Sequence, residues 1–205
     1  MSVYSVNYPG IDEARLDAIK AVIVAGLSSL NASLAVSPAI PAKSGAGSMT
    51  LAASQVLIGD PIMLRQSRIS VVGGGENDQT EMEIQPFLNA YERRHEVTTS
   101  IFVYIHPDEC PSSDEAVKAE GQERALARIC DHLRARVFNT TSGINIGMAS
   151  REQITTVSGG YYDLLLDCHI TRIKKGITPK GMGEMKECLS AELTHTGRIV
   201  IRASG

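Results

Sequence analysis

The stretch SVVGGGENDQTEM, Ser70–Met82, sets three glycines after a short β-branched segment, an arrangement from which phosphate-binding loops are often made. A phosphate cradle needs glycines spaced so that backbone N–H groups converge on the anion, then a helix N-terminus and usually a Lys or Ser/Thr. Gly73, Gly74 and Gly75 are consecutive and match neither G-x-G-x-x-G nor G-x-x-x-x-G-K-[ST]. Glu76, Asp78, Glu81 and Glu83 follow, and no lysine or arginine lies between Gly73 and Tyr91. Such a loop would repel phosphate. The stretch therefore reads as a mobile acidic connection between strands, since consecutive glycines chiefly supply backbone freedom.

A second group, Asp163, Asp167 and His169, carries the donor types of a metal site or an acid–base pair. Its neighbours Tyr162, Leu164, Leu166, Cys168 and Ile170 alternate with it. Period-2 polarity assigns the three to the wet face of an amphipathic strand. The cysteines Cys110, Cys130, Cys168 and Cys188 include no C-x-x-C, and the histidines are equally scattered. Structural zinc sites use tighter, recurrent spacings. No nucleophile and base lie close together in sequence. The expectation is no catalytic residue, no bound metal and no cofactor, with a small metal-binding enzyme as the competing reading.

The elements that must position these residues belong to a chain of 205 residues, 43% apolar, with 4% aromatics, no tryptophan and a net charge of −3. That is enough apolar content for a real core. It excludes a nucleic-acid surface built on stacking aromatics or on a strong positive field. The opening MSVYSVNYPGIDEARLD lacks the basic and apolar regions of a signal peptide. The run AIKAVIVAGLSSL contains Lys20 and is too short to span a bilayer, so no membrane association is expected.

Residues 11–31 predict a helix, because Leu16, Ile19, Ile23, Leu27 and Leu30 recur at three- and four-residue steps. Residues 31–54, rich in Ala, Ser, Pro and Gly, read as an arm or loop whose apolar residues would lie on a neighbouring subunit. Residues 55–60 and 67–72 predict two short strands, and residues 91–106 a long one. A helix follows over SSDEAVKAEGQERALARICDHLRARVF, with Ser112 or Ser113 as N-cap. Its core stripe is Leu126, Ile129, Cys130, Leu133 and Val137. Its arginines, Arg124, Arg128, Arg134 and Arg136, read as a solvated face. A hairpin or bent strand spans residues 152–175. A short helical piece, GEMKECLSA, and a strand over 197–203 end the chain. The whole predicts a single α+β domain with a mainly antiparallel sheet and helices packed on one face.

Residues 89–174, under half of the chain, resemble the tail terminator (tail completion) proteins of long-tailed bacteriophages. Three stretches carry the likeness: YERRHEVTTSIFVYIHPDE, a strand entered through Glu92-Arg93-Arg94; EGQERALARICDHLRARVF, a long helix with an acidic start; and ITTVSGGYYDLLLDCHITRI, a glycine turn entering a strand that ends in Arg172-Ile173. The order of elements is similar to the family's. Residues 31–60 and 176–205 look like additions, the latter a C-terminal extension.

The resemblance implies structural work without chemistry. Such a protein would form a ring, typically a hexamer, on the last ring of the tail tube. It would stop tube polymerisation and join the head connector at the tail–neck junction of the virion, after assembly in the host cytoplasm. Its partners would be itself, the tube protein, connector or neck proteins, and DNA passing through the lumen without specific binding. Another neck protein, such as a head-completion or adaptor protein, or a tube-like subunit, is the neighbouring alternative. In this setting the glycine-rich acidic stretch would be a lumen or inter-subunit loop. Some of Glu76, Asp78, Glu81, Glu83, Asp163 and Asp167 would face the channel.

Overall fold

In a computed structural model the described residues are 11–60, 64–85, 90–138, 152–155, 161–179 and 187–204. Helix α1 spans Ile11–Leu34 and helix α2 spans Glu115–His132, the latter continuing through a π-helical turn, Leu133–Val137. The strands are β1 Val56–Ile58, β2 Arg68–Gln85, β3 Ala90–Ile105, β4 Glu152–Thr155, β5 Tyr161–Pro179 and β6 Glu187–Ser204. They form one six-stranded sheet in the order β1-β2-β3-β6-β5-β4. Only the short β1–β2 pair is parallel. The fold is α+β, as the sequence predicts.

Burial follows from the periodicities. In α1, Ile19, Ile23, Leu27 and Leu30 are buried and Leu16 packs against them. In α2 and its π turn, Leu126, Ile129, Cys130, Leu133 and Val137 are buried, every position of the expected stripe. Both helices meet one face of the sheet, where Ile69, Val71, Ile101, Val103, Ile105, Ala191 and Leu193 alternate inward. Fully burying each of these large aliphatic side chains contributes about 1.5–3 kcal/mol. By length and composition alone Leu16–Leu34 could cross a membrane, which corrects the argument from too short a run; here one side of it is built into the core.

Helix α2 is capped by Asp114, whose carboxylate accepts from Ala116 N at 2.8 Å, while Ser112 Oγ accepts from Asp114 N at 3.1 Å. The cap is thus one or two residues beyond the predicted serines. An aspartate there satisfies a free N–H and faces the positive helix end.

Residues 31–54 do not form an arm awaiting a neighbour. Leu34, Ile40, Met49 and Leu51 are buried in the subunit's own core. Asn31 fastens the returning chain: its Nδ2 donates to Leu51 O at 3.0 Å and its Oδ1 accepts from Leu51 N at 2.9 Å. Arg128 closes the same segment. Its Nη1 donates to the carbonyls of Ser33 (3.2 Å), Leu34 (3.3 Å) and Val36 (2.9 Å), and its Nη2 donates to that of Pro38 (2.9 Å). A cation here satisfies the open carbonyls at the C-terminus of α1 and sits at the negative end of its dipole. The solvated-face reading of Arg128 is therefore overturned. It holds for Arg124, which pairs with Glu120 along the helix, and for Arg134, which pairs with Asp131 at 3.0 Å.

The C-terminal residues are not an appendage either. β6 lies between β3 and β5, paired with β3 from Ala90↔Ser204 to Ile105↔Leu189 without interruption. Residues 187–191 of the expected helical piece belong to this strand.

Candidate interaction surface

The glycine-rich acidic stretch is strand, not loop. Gly73, Gly74, Gly75, Glu76, Asp78, Glu81 and Glu83 all lie within β2, which pairs with β3 as far as Gln85↔Ala90. Register shifts fall between Gly73 and Glu76 and between Asn77 and Glu81. Extra residues in one strand are β-bulges, which bend the strand and tighten its twist. Gly74 has a specific reason to be glycine. A Cβ there would stand 2.5 Å from the carbonyl oxygen of Thr98 on β3, whereas a Cβ on Gly73 would meet nothing within 4 Å. The glycine run thus permits close approach of two backbones at a bulge, a use that sequence alone does not separate from flexibility.

The second candidate group lies on β5. Register shifts occur between Asp163 and Leu166, Leu166 and His169, and Ile170 and Arg172. The first two shifts break period-2 alternation between Asp163 and His169, so the sequence pattern does not place the three on one face. His169 is exposed; the side chains of Asp163 and Asp167 lie outside the described residues, as does the turn at Gly159 and Gly160. Among the described residues no three His, Cys, Asp or Glu side chains converge as a metal site would require. Cys110, Cys130 and Cys188 are buried and form no disulfide among the described residues, and burial pushes Cys110 up to about 11 and Cys130 up to about 12.

What the sheet does present, among the described residues, is two open edges. β1 pairs with β2 only from Ile69 to Val71, and β4 pairs with β5 only from Tyr161 to Leu164. Among the described residues nothing pairs with the outer edge of β2 from Val72 to Gln85, or of β5 beyond Leu164. The segment of β2 contains Glu76, Asp78, Glu81 and Glu83 and no cation. The segment of β5 contains exposed Arg172, Lys174 and Lys175 and one acidic residue, Asp167. Lys175 lies 3.9 Å from Glu123 of α2, while Arg172 and Lys174 make no ion pair among the described residues. The acidic run of β2 is plain in the sequence, but the basic run of β5 is not singled out and the edges cannot be seen there, because edge status depends on which strands fail to find neighbours.

Two other polar places serve the fold. Under the β3–α2 connection, Ser67 Oγ donates to Glu109 Oε1 at 3.1 Å and accepts from His106 N at 2.9 Å. Gln122 Nε2 donates to the carbonyls of Pro107 and Glu109. Burial raises the Glu109 carboxyl above its usual range, against the lowering pull of Ser67 and Lys43. Between the helices, an open groove of about 380 Å³ is lined by Ser33, Val36, Arg128, Asp131, His132, Ala135 and Arg136. Burial and nearby Arg136 lower the His132 imidazole, and its Nε2 lies 3.1 Å from Ser29 Oγ of α1. Arg128 clasps the carbonyls at the end of α1, while Asp131 pairs with Arg134 along its own helix.

No protein-family model matches the chain, and no curated protein sequence matches it.

Proposed function

We propose that the chain is a structural virion protein of a long-tailed bacteriophage: a tail terminator that assembles as a ring, six-membered by family likeness, caps the tail tube, stops its growth and joins it to the head connector. The observation that carries this reading is the four-stranded antiparallel block β2-β3-β6-β5, covered by helices on one face and, among the described residues, open along both outer strands. A long open edge invites pairing with another chain, and proteins that keep one exposed usually use it. The resemblance of residues 89–174 to terminators supplies the biological setting.

The charge balance suits a conduit. Duplex DNA carries one negative charge per ~1.7 Å of axis, so a cation-lined channel would grip it in a salt-dependent manner. A net charge of −3 and the acidic residues of β2 suit passage without retention. Electron microscopy of intact particles with this subunit labelled tests the assignment. A ring at the tail–neck junction is the expected result. Label on the tube, inside the head or absent from particles would overturn it, the first two pointing to a tube-like or head-completion role.

A further inference from the structure

We propose that copies of this chain join head to tail, the acidic outer edge of β2 in one subunit pairing antiparallel with the basic outer edge of β5 in the next. The argument begins with strand direction. β2 is antiparallel to β3, β3 to β6 and β6 to β5, so the two outer strands of this four-strand block run in opposite directions. A copy placed alongside with its helices on the same side therefore lays its β2 antiparallel to the first copy's β5. The hydrogen-bonding pattern of the sheet continues across the joint without reversal.

Charge then selects this joint over the two symmetric ones. A two-fold pairing of β2 with β2 would bring Glu76, Asp78, Glu81 and Glu83 against the same four residues. A two-fold pairing of β5 with β5 would bring Arg172 and Lys174 against themselves. Like charges across an interface suppress the wrong partner, and opposite charges steer the right one. Each edge is guarded against its own kind and complementary to the other. The segment of β2 contains neither proline nor lysine, the residues most used to blunt an edge. Arg172 and Lys174 are exposed and form no ion pair among the described residues, so they meet a partner strand uncommitted.

The short strands fix the stagger. β1 occupies the outer side of β2 at Ile69–Val71, and β4 occupies that of β5 at Tyr161–Leu164, at opposite ends of the sheet. The free stretches are offset along the strand direction, so each added copy steps along it. A heterologous joint of this kind closes into a ring when its rotation permits and otherwise runs on as a filament.

The inference rests on the self-assembling reading above, but the joint is tested on purified protein and the place in the virion on particles, so either can fail alone. Two variants are made. One carries Glu76→Lys, Asp78→Lys, Glu81→Lys and Glu83→Lys, which leaves both edges basic. The other carries Arg172→Glu and Lys174→Glu, which leaves both edges acidic. Assembly is followed by analytical ultracentrifugation and negative-stain microscopy, with circular dichroism reporting the fold. The wild-type chain is expected to assemble. Each variant alone should need a roughly hundredfold higher concentration, the scale of like-charge opposition across an interface. An equal mixture of the two should assemble as the wild type does, with the variants alternating. The double-glutamate variant alters only exposed side chains, so it tests the joint even where the quadruple variant does not fold. A wild-type chain that stays monomeric at every concentration, a double-glutamate variant that assembles normally, or a mixture of folded variants that fails to recover would overturn the proposal.

Discussion

The centre of the sheet and its two outer strands obey different rules. In the centre, Ile101, Val103 and Leu193 are wholly buried beneath the helices, and β3 pairs with β6 over its full length without a shift. On the outside, β2 and β5 carry all of the sheet's register shifts, most of its glycines and separated charges of opposite sign. The centre is closed by apolar burial, which any single subunit completes. Along the edges, hydrogen-bonding capacity is left that the described residues of the chain do not use. The difference separates what makes this chain fold from what would let it assemble.

Substitutions in the centre should sharpen that division most. Phe138 is buried at the end of the π turn, with its ring 4.7 Å from that of His195 on β6. Phe138→Ala should cost about 3–5 kcal/mol of stability, through lost burial and the cavity left behind. Chemical denaturation measures this, and a loss under about 1 kcal/mol would show that the helix layer is not anchored there.

The next effect concerns Arg128. Arg128→Lys keeps the charge but cannot reach four carbonyls with one flat fork. We expect about 1.5–3 kcal/mol of destabilisation, the range for hydrogen bonds to charged groups. Proteolysis should become faster near residues 36–48. Unchanged stability with unchanged cleavage would return Arg128 to the role of a solvated charge.

A smaller pair of changes probes the border between centre and edge. Gly74→Ala forces a methyl group against Thr98 O and should cost about 1–3 kcal/mol. Gly73→Ala meets open space and should be neutral or stabilise by about 0.4–1 kcal/mol. Equal effects at the two positions would contradict the bulged-strand account of the glycine run.

The smallest expected effect is electrostatic. Burial raises the Glu109 carboxyl, so its neutral form is favoured in the folded state. That contribution is complete below the ordinary carboxylate range and is lost as pH rises through the raised value. Glu109→Gln should therefore equal the wild type in stability at low pH and exceed it at neutral pH. A variant less stable than wild type at pH 7 would mean that the ionised carboxylate is held by Ser67 and Lys43 more firmly than burial opposes it.

The centre was largely legible in the sequence because its signals are local. Four-residue steps in α1 and the Leu126–Val137 stripe named the buried faces correctly, and β-branched content located β3. The acidic strand β2 was not legible beyond Val72. Glycine serves both flexible loops and tight backbone contacts, and only the distance to Thr98 decides between them. The central place of β6 depends on partners about a hundred residues away, which no window along the chain contains. Arg128 was hidden for the same reason: a helix arginine in solvent and one clasping distant carbonyls have the same neighbours in sequence. Of the candidate site residues, the charges were visible, but the place of the β2 acids, Asp167 and His169 on outer strands, and of Asp163 beside β4, was not.

Hydrogen exchange of the wild-type protein, compared between dilute monomer and concentrated assembly, tests the division between closed centre and open edges most directly. Amides of β3 and β6 from Ile101 to Ile105 and from Leu189 to Leu193 should be protected in both states. In β2 and β5 the amides that face β3 and β6 should be protected in both states, and the outward-facing amides of residues 72–85 and 165–179 should gain protection only on assembly. Assembly that leaves both outer strands exchanging as in the monomer, while protecting other surfaces, would contradict the account.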